Sequence, residues 1–473
     1  MVFAPDQTMS TQPVADRIRS SVAGAVYGPD DEGYRSAVAG FNVATAHRPA
    51  AVVVASSAAD VAAAVRIAAD NGLTVAVQAT GHGADAAPEN SILVTTGLLD
   101  TVTIDRDGRT ATVGAGVRWQ QVLDAAAPHG LAALAGSSPT VGVVGYTVGG
   151  GLGPIARTYG FAADHVIQME VVTAEGQLRR VDHDTEPDLF WALLGGGAAF
   201  GIVTQMTFRL FPIQTLDGGG IFYDIADAPA VLRCWRDWIG TVPDSVSSSV
   251  AVINFPPLPE LPEPLRGRTV LHLRYAYVDD HGDGMAMIAP MRSVATSIID
   301  TVTEMMYPAL ASIHADPTHP MPAVERSRLL RELPDEALDA LLGVVGPEAG
   351  LPIMLAEIRA MGGALSRAPA TPNAVAGRDA AFTLVAIGVL APPIAEVVPT
   401  ALDAVIDALA PWGTGGALVN FAGSTQGESA DRVVAAWSPA QLARLVETRE
   451  KYDPRGVFAS AARWGRRLGQ AAP

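Results

Sequence analysis

The stretch VAVQATGHGAD, residues 75–85, decides how this chain is read. Its front half is apolar and β-branched, and with Leu73 and Thr74 ahead of it predicts a strand from Leu73 to about Ala79. The strand breaks into Gly81-His82-Gly83, so one imidazole is delivered at a strand end between two residues without side chains. Such flanks remove the neighbours that normally bury or brace a histidine and let another molecule come close. A plain turn histidine and a histidine held out for a ligand are the two readings.

Working outward, Ala51–Ala55 predicts a short buried strand and Val61, Val65 and Ala68 recur at helical spacing. Ser57 with Asp60 three residues on resembles a capping box, and Gly72 stands where a left-handed cap ends the helix. Strand, helix and the strand leading to His82 form a βαβ unit, with its two strands parallel. SILVTT (91–96) is a further strand, and hairpins are expected at Asp107-Gly108 and at Glu175-Gly176. RWQQVLDAAAPHG (118–130) reads as a helix and GIVTQMTFRLFPI (201–213) as a strand.

After Gly218 the pattern changes. GGIFYDI (219–225), SSSVAVINF (247–255), TVLHLRYAYV (269–278), IMLAEIRAMGG (353–363) and AAFTLVAIGVL (380–390) are five strand-like runs separated by helical stretches such as 229–240 and 400–412. They predict one antiparallel sheet backed by helices on one face. Near the end, Ser438, Pro439 and Gln441 open a capped helix that Asp453-Pro454 closes. The organisation expected is α+β: 1–215 as one domain, 216–415 as a second, and 416–473 returning to the first.

The 473 residues carry a net charge of −17, which argues against nucleic acid and anionic membranes as partners. No run of about 18 apolar residues appears, and the N-terminus lacks the basic-then-apolar order of a secretory signal. A cytoplasmic location is the expectation. The single cysteine, Cys234, lies in an amphipathic helical pattern and reads as a packed thiol. No metal site is expected; VDHDTE (181–186) is the one His/carboxylate cluster and reads as a loop.

PTVGVVGYTVGGGLG (139–153) holds six glycines in fifteen residues, dense enough either to bring backbone amides against a phosphate or to pack two segments tightly. It is neither a Rossmann fingerprint nor a P-loop. Phe190 and Trp191 precede a second cluster, Gly195 to Gly197, within PDLFWALLGGGAAFGIVT (187–204).

Taken in order, ATGHG (79–83), VGAG (113–116), PTVGVVGYTVGGGLGPIARTYGFAADHV (139–166) and residues 187–204 resemble the flavin domain of the vanillyl-alcohol-oxidase superfamily. More narrowly, they resemble the berberine-bridge-enzyme-like oxidases. The resemblance continues in VNFAG (419–423) and YDPRGVF (452–458). It implies a PCMH-type FAD-binding domain of two α+β subdomains plus a substrate domain with an antiparallel sheet. It also implies FAD bonded covalently to His82, with Thr80 replacing the first glycine of the family's turn.

Many relatives attach the flavin again through a cysteine; here that position is Ser138, so one linkage is expected. Val141, two places after Pro139, matches the residue that admits oxygen to the flavin. Gly81, Gly83, Ser138, Thr140, Val141, Gly142, Gly145, Tyr146, Gly149, Gly150, Gly153, Gly201, Val203 and Asn420 are the implied cofactor contacts. Val144 and Tyr146 depart from the family's glycine and histidine, and Phe421 stands where a catalytic tyrosine is often found.

The strand period puts Glu357, Arg359 and Met361 on one face. Glu357 is then a candidate base and Arg359 a candidate stabiliser of reduced flavin or of an anionic substrate; a solvated Glu–Arg pair is the other reading. Tyr223, Tyr275, Tyr277 and Tyr307 are further phenols to place. The expected function is oxidation of an alcohol or activated C–H in a small molecule of the secondary-metabolite kind, with O2 as acceptor and H2O2 as product. A flavin-dependent oxygenase or cyclisation enzyme and a non-catalytic flavin-binding protein are the alternatives.

Overall fold

The structure, a computed structural model, describes residues 14–279, 282–346, 348–423 and 428–459. The strand Thr74–Gln78 lies at one side of a four-stranded sheet ordered Ala25–Tyr27, Ala51–Val54, Ser91–Thr95, Thr74–Gln78. The two strands of the βαβ unit do run parallel, but they are not neighbours: Ser91–Thr95 lies between them and pairs parallel with both. Between them the helix Ala58–Asp70 packs Val61, Val65 and Ala68 into the core.

The Ser57 hydroxyl accepts from the Asp60 N–H at 3.2 Å, as the capping pattern predicts. The Asp60 carboxylate does something else. It accepts from Ser56 N and Oγ and from Ala23 N and Gly24 N, tying the helix start to the first strand. Gly72 takes φ +65° after the helix, the left-handed conformation that favours glycine.

A second, five-stranded sheet is antiparallel throughout, ordered Val102–Asp105, Thr110–Gly114, Ile202–Arg209, Val166–Val172, Leu178–Asp182. The C-terminal segment returns to the first sheet: Val75 donates to Val457 O at 2.7 Å and accepts from Ala459 N at 2.8 Å. Phe458 is buried there.

The third sheet has eight strands, all antiparallel. Its main path is Ser297–Asp300, Thr215–Asp224, Thr269–Tyr277, Val246–Asn254, Leu355–Ala360, Phe382–Val389, Ala323–Leu330, and Thr303–Met306 also pairs with Thr215–Asp224. Three of these strands were not foreseen. AVERSRLL (323–330) carries charges at 325, 326 and 328, which breaks a clean two-residue alternation, and the other two are only four residues long.

Alternation decides what each face of this sheet does. Val250, Val252, Leu271, Leu273, Ile358 and Leu384 point to the helices Ala228–Ile239, Asp335–Val345 and Val398–Ala408, where Trp235, Leu338 and Leu402 complete a core. Ser249, His272, Arg274, Glu357 and Arg359 occupy the intervening positions on the opposite face. That face looks onto the glycine-rich segment. Cys234 is half-buried at the edge of the helix-side core.

Candidate functional site

His82 is not bare. Gly81 turns the chain with φ +76°, and a Cβ there would lie 2.6 Å from Gly40 Cα, so only glycine fits. That approach is clamped by Phe41 N donating to Thr80 O at 2.9 Å and Asn42 N to Gly81 O at 3.1 Å. It brings Phe41 face to face with His82, centroids 3.8 Å apart and planes 11° from parallel. The ring nitrogens are held as well: Nδ1 lies 2.9 Å from Thr80 Oγ1 and Nε2 3.1 Å from Thr140 Oγ1. Burial, with Arg118 adding to it against the opposing pull of Asp316, lowers the His82 pKa to about 4, so the ring is neutral near pH 7.

Thr140 Oγ1 also lies 3.1 Å from Ser138 Oγ. The structure therefore brings together Thr80, His82, Thr140 and Ser138, residues 60 positions apart in sequence at their widest. Sequence reasoning named Thr140 only as a cofactor contact. Its place between the two hydroxyl- and imidazole-bearing positions follows from the fold. Val141 is partly buried against the core. Gly142 leads into the helix Val143–Val148, within 3.5 Å of Thr80 and Ala79 for a would-be Cβ.

The glycines of the 139–153 cluster divide into two kinds. A Cβ at Gly145, like one at Gly83, meets nothing within 4 Å, so these positions are open. At Gly149 it would meet Asn420 at 2.7 Å, at Gly150 Val375 at 3.3 Å, and at Gly153 Ala135 O at 2.2 Å with the Tyr146 hydroxyl at 3.1 Å. These three make room for protein groups. Asn420 closes the turn, accepting from Gly151 N at 2.9 Å and donating to Tyr146 O at 3.0 Å. The Tyr146 hydroxyl is buried without a partner, and burial raises its pKa. Gly201 packs on Val171, 2.4 Å from a would-be Cβ, and Val203 is buried in the sheet opposite Val171.

Facing this segment is a cleft lined by Gly153, Arg157, Ser249, Arg274, His314 and Arg359, among others. Glu357, 2% exposed, is held by three of these lining residues. Its Oε1 is 2.6 Å from Arg274 Nη1 and accepts from Ser249 Oγ at 2.6 Å, while Oε2 is 2.9 Å from Arg359 Nη2. Burial alone would push this carboxyl up, but Arg274 and Arg359 hold it well below the usual carboxylate range. A carboxylate so clamped is a weak proton acceptor, which argues against the base role expected for Glu357. Its geometry is that of an anchor for two guanidiniums.

Arg359 stacks over Phe421, 5.0 Å to the ring centroid, and its Nε is buried without a partner. Phe421, read from the sequence as a departure from the tyrosine that the resemblance implies, thus supports a cation. His314, which sequence reasoning passed over, lines the same cleft. Its spacing gives no motif; only the fold of the Tyr307–Ile313 turn brings it to the sheet face. Elsewhere, Asp182, His183 and Asp184 are the one cluster of metal-type ligands among the described residues, and they are mostly exposed. Asp182 Oδ1 is occupied by the Asp184 and Thr185 N–H groups in a turn.

Residues 49–182 match the FAD binding domain family. The chain carries an FAD binding domain. The FAD domain holds His82, Thr140 and Ser138, and positions open at Gly83 and Gly145 leave room for a ligand beside them. These residues fit the cofactor: a neutral, half-buried imidazole and a turn held by Asn420.

The chain is 32% identical over 237 residues to (R)-6-hydroxynicotine oxidase of Paenarthrobacter nicotinovorans, covering 49% of this chain and 52% of that protein. It thus spans about half the length of the curated relatives it matches. Among solved structures, 6-hydroxy-D-nicotine oxidase of Arthrobacter nicotinovorans superposes with a TM-score of 0.81 at 26% identity, over 93% of this chain and 97% of that one. BBE-like 1 of Physcomitrella patens gives 0.81 at 20% identity, over 94% and 98%. The fold is that of the berberine-bridge-enzyme-like FAD oxidases, α+β as expected from the sequence. No helix among the described residues is long and apolar enough to cross a membrane.

Proposed function

We propose that this chain is an FAD-dependent oxidase whose flavin is attached through His82 alone and whose substrate is a small molecule oxidised at an alcohol or activated C–H. Bound FAD would supply the two-electron acceptor; O2 would be the final acceptor and H2O2 the product. The observation that carries the reading is the placing of His82, Thr140 and Ser138 at one end of the glycine-rich segment, with the Arg274–Glu357–Arg359 cleft facing that segment.

Each residue has work in this reading. Thr80 and Thr140 fix the His82 ring, and its neutral state keeps a lone pair on one nitrogen, which a threonine hydroxyl holds until attachment takes its place. Asn420 holds the backbone at 146–151 in place against the cofactor. Arg359 supplies a positive charge for reduced flavin or for an anionic substrate group. Val141 leaves oxygen a small side chain to pass. The net charge of −17 supports a small-molecule partner over nucleic acid.

The test is a visible spectrum of the purified protein before and after acid precipitation, followed by a peroxide assay under air across benzylic, secondary and sugar alcohols. Yellow colour kept in the washed pellet and mapped to a His82 peptide supports the single attachment. Colour lost to the supernatant removes that role from His82. Peroxide from none of the alcohols, or labelled oxygen from O2 found in the product, would replace the oxidase reading by the binding-protein or oxygenase reading respectively.

A further inference from the structure

An oxidase acting on a hydroxyl needs a group that takes the hydroxyl proton. The groups put forward from sequence are committed elsewhere, Tyr277 being packed in the helix-side core. The hydroxyls of Tyr223, Tyr275 and Tyr307 each donate to a backbone carbonyl at 2.6 Å: Met291 O, Gly284 O and Ala133 O. Glu357 is clamped by Arg274, Arg359 and Ser249, and position 421 has no phenol.

His314 is different. It lines the cleft, it is 7% exposed, and both ring nitrogens are buried without a hydrogen-bond partner among the described residues. Its Nε2 lies 3.5 Å from Glu357 Oε1, close enough for attraction and too far for a good hydrogen bond. A buried imidazole left unpartnered in a native fold points to a ligand that completes it.

The backbone aims it there. Ala315, the next residue, takes φ 53°, left-handed backbone that a non-glycine residue rarely adopts. The chain then runs to Met321, which donates to Phe41 O at 3.0 Å and accepts from Val43 N at 3.2 Å. Phe41 is the ring stacked on His82. One segment therefore links the cleft to the proposed attachment site.

We propose that His314 is the proton acceptor for the substrate hydroxyl, with Glu357 behind it as the positioning residue. The proposal rests on the oxidase reading above. In the step, the substrate O–H bond breaks, an N–H bond forms on the imidazole, and the negative charge stays on the substrate oxygen beside Arg359. With FAD bound as the two-electron oxidant, the C–H bond would then break, its hydrogen leaving with both electrons to the flavin, and the C=O bond would form.

The charged and titratable groups facing His314 are Arg274 and His272 from the strand Thr269–Tyr277 and Glu357 and Arg359 from Leu355–Ala360, two places along the sheet. Burial and the arginines hold His314 below its ordinary pKa, with Glu357 opposing them, so the resting ring is neutral; the negative charge left on a substrate oxygen beside it would raise that pKa as the proton arrives.

The experiment uses the FAD-loaded full chain and 4-nitrophenol, held below its own pKa, with the flavin spectrum subtracted. Bound probe should show the yellow phenolate band with no net proton released to solution. His314→Gln, with unchanged flavin content, should lose at least nine-tenths of that band. His314→Ala should regain it on adding imidazole. An unchanged band in His314→Gln, phenolate formed with a full proton released, or no phenolate at millimolar probe would each overturn the assignment. Flavin content is read from the same spectrum, so a chain that never holds FAD would overturn the oxidase reading separately.

Discussion

Thr140 Oγ1 stands 3.1 Å from His82 Nε2, on a residue 58 positions further along the chain. The same hydroxyl lies 3.1 Å from Ser138 Oγ, so the imidazole on one loop is registered against a serine on another. Thr140→Val keeps the shape and removes this bond, worth about 1 kcal/mol net. Flavin attachment should slow by roughly fivefold to tenfold, read as the fraction of flavin retained by denatured protein over time. His82→Ala should retain none. Full covalent loading of His82→Ala would place the attachment elsewhere.

Ser138→Cys follows from the same geometry. The thiol would enter a position already aligned with His82 through Thr140, and the resemblance to doubly attached relatives implies that a cysteine here bonds to the flavin. The variant should carry a flavin that stays bound to peptide 138 after the His82 peptide is cleaved away. Mass spectrometry of the digest checks this; a free thiol at position 138 in fully loaded protein contradicts it.

Neutral His82 also has a consequence for stability before flavin is attached. Its folded pKa, about 4, lies below the ordinary 6.5, so the unfolded chain binds the proton more readily. The stability gained by keeping the ring neutral is present above pH 6.5 and is lost as pH falls from 6.5 towards 4. The upper bound is about 3 kcal/mol, less what partial exposure screens. His82→Phe, which keeps the stack on Phe41, should flatten the melting-temperature profile over that window. His272 and His314 are also lowered and contribute to the slope that remains.

The parts legible in the sequence are those set by local chemistry. The 74–78 strand, the Ser57 and Ser438 caps and the Gly72 stop follow from patterns within a few residues. The alternation that put Glu357 and Arg359 on one face was visible too. What was hidden depends on distant segments: Phe41 covering His82, Asn420 entering the Gly149 turn, Ser91–Thr95 inserting between two βαβ strands, and Glu357 meeting Arg274 across the sheet. His314 was missed for the same reason, since a lone histidine after an irregular turn carries no periodic signal.

Glu357 offers the sharpest test of the cleft's charge balance. Among the described residues it is the one carboxylate in contact with both Arg274 and Arg359, and all three side chains are at most 13% exposed. Glu357→Gln keeps the volume but leaves two guanidiniums without their counter-charge, a loss of about 3–5 kcal/mol for a buried pair broken on one side. The urea midpoint should fall accordingly. Adding Arg274→Met to Glu357→Gln removes one stranded charge and should recover part of the loss. Acid should reproduce the single variant: the folded carboxyl titrates well below its ordinary 4.5, so its contribution is present above that pH and lost as pH falls below it. Wild-type stability in Glu357→Gln would mean that the arginines find other partners and that Glu357 does not anchor them.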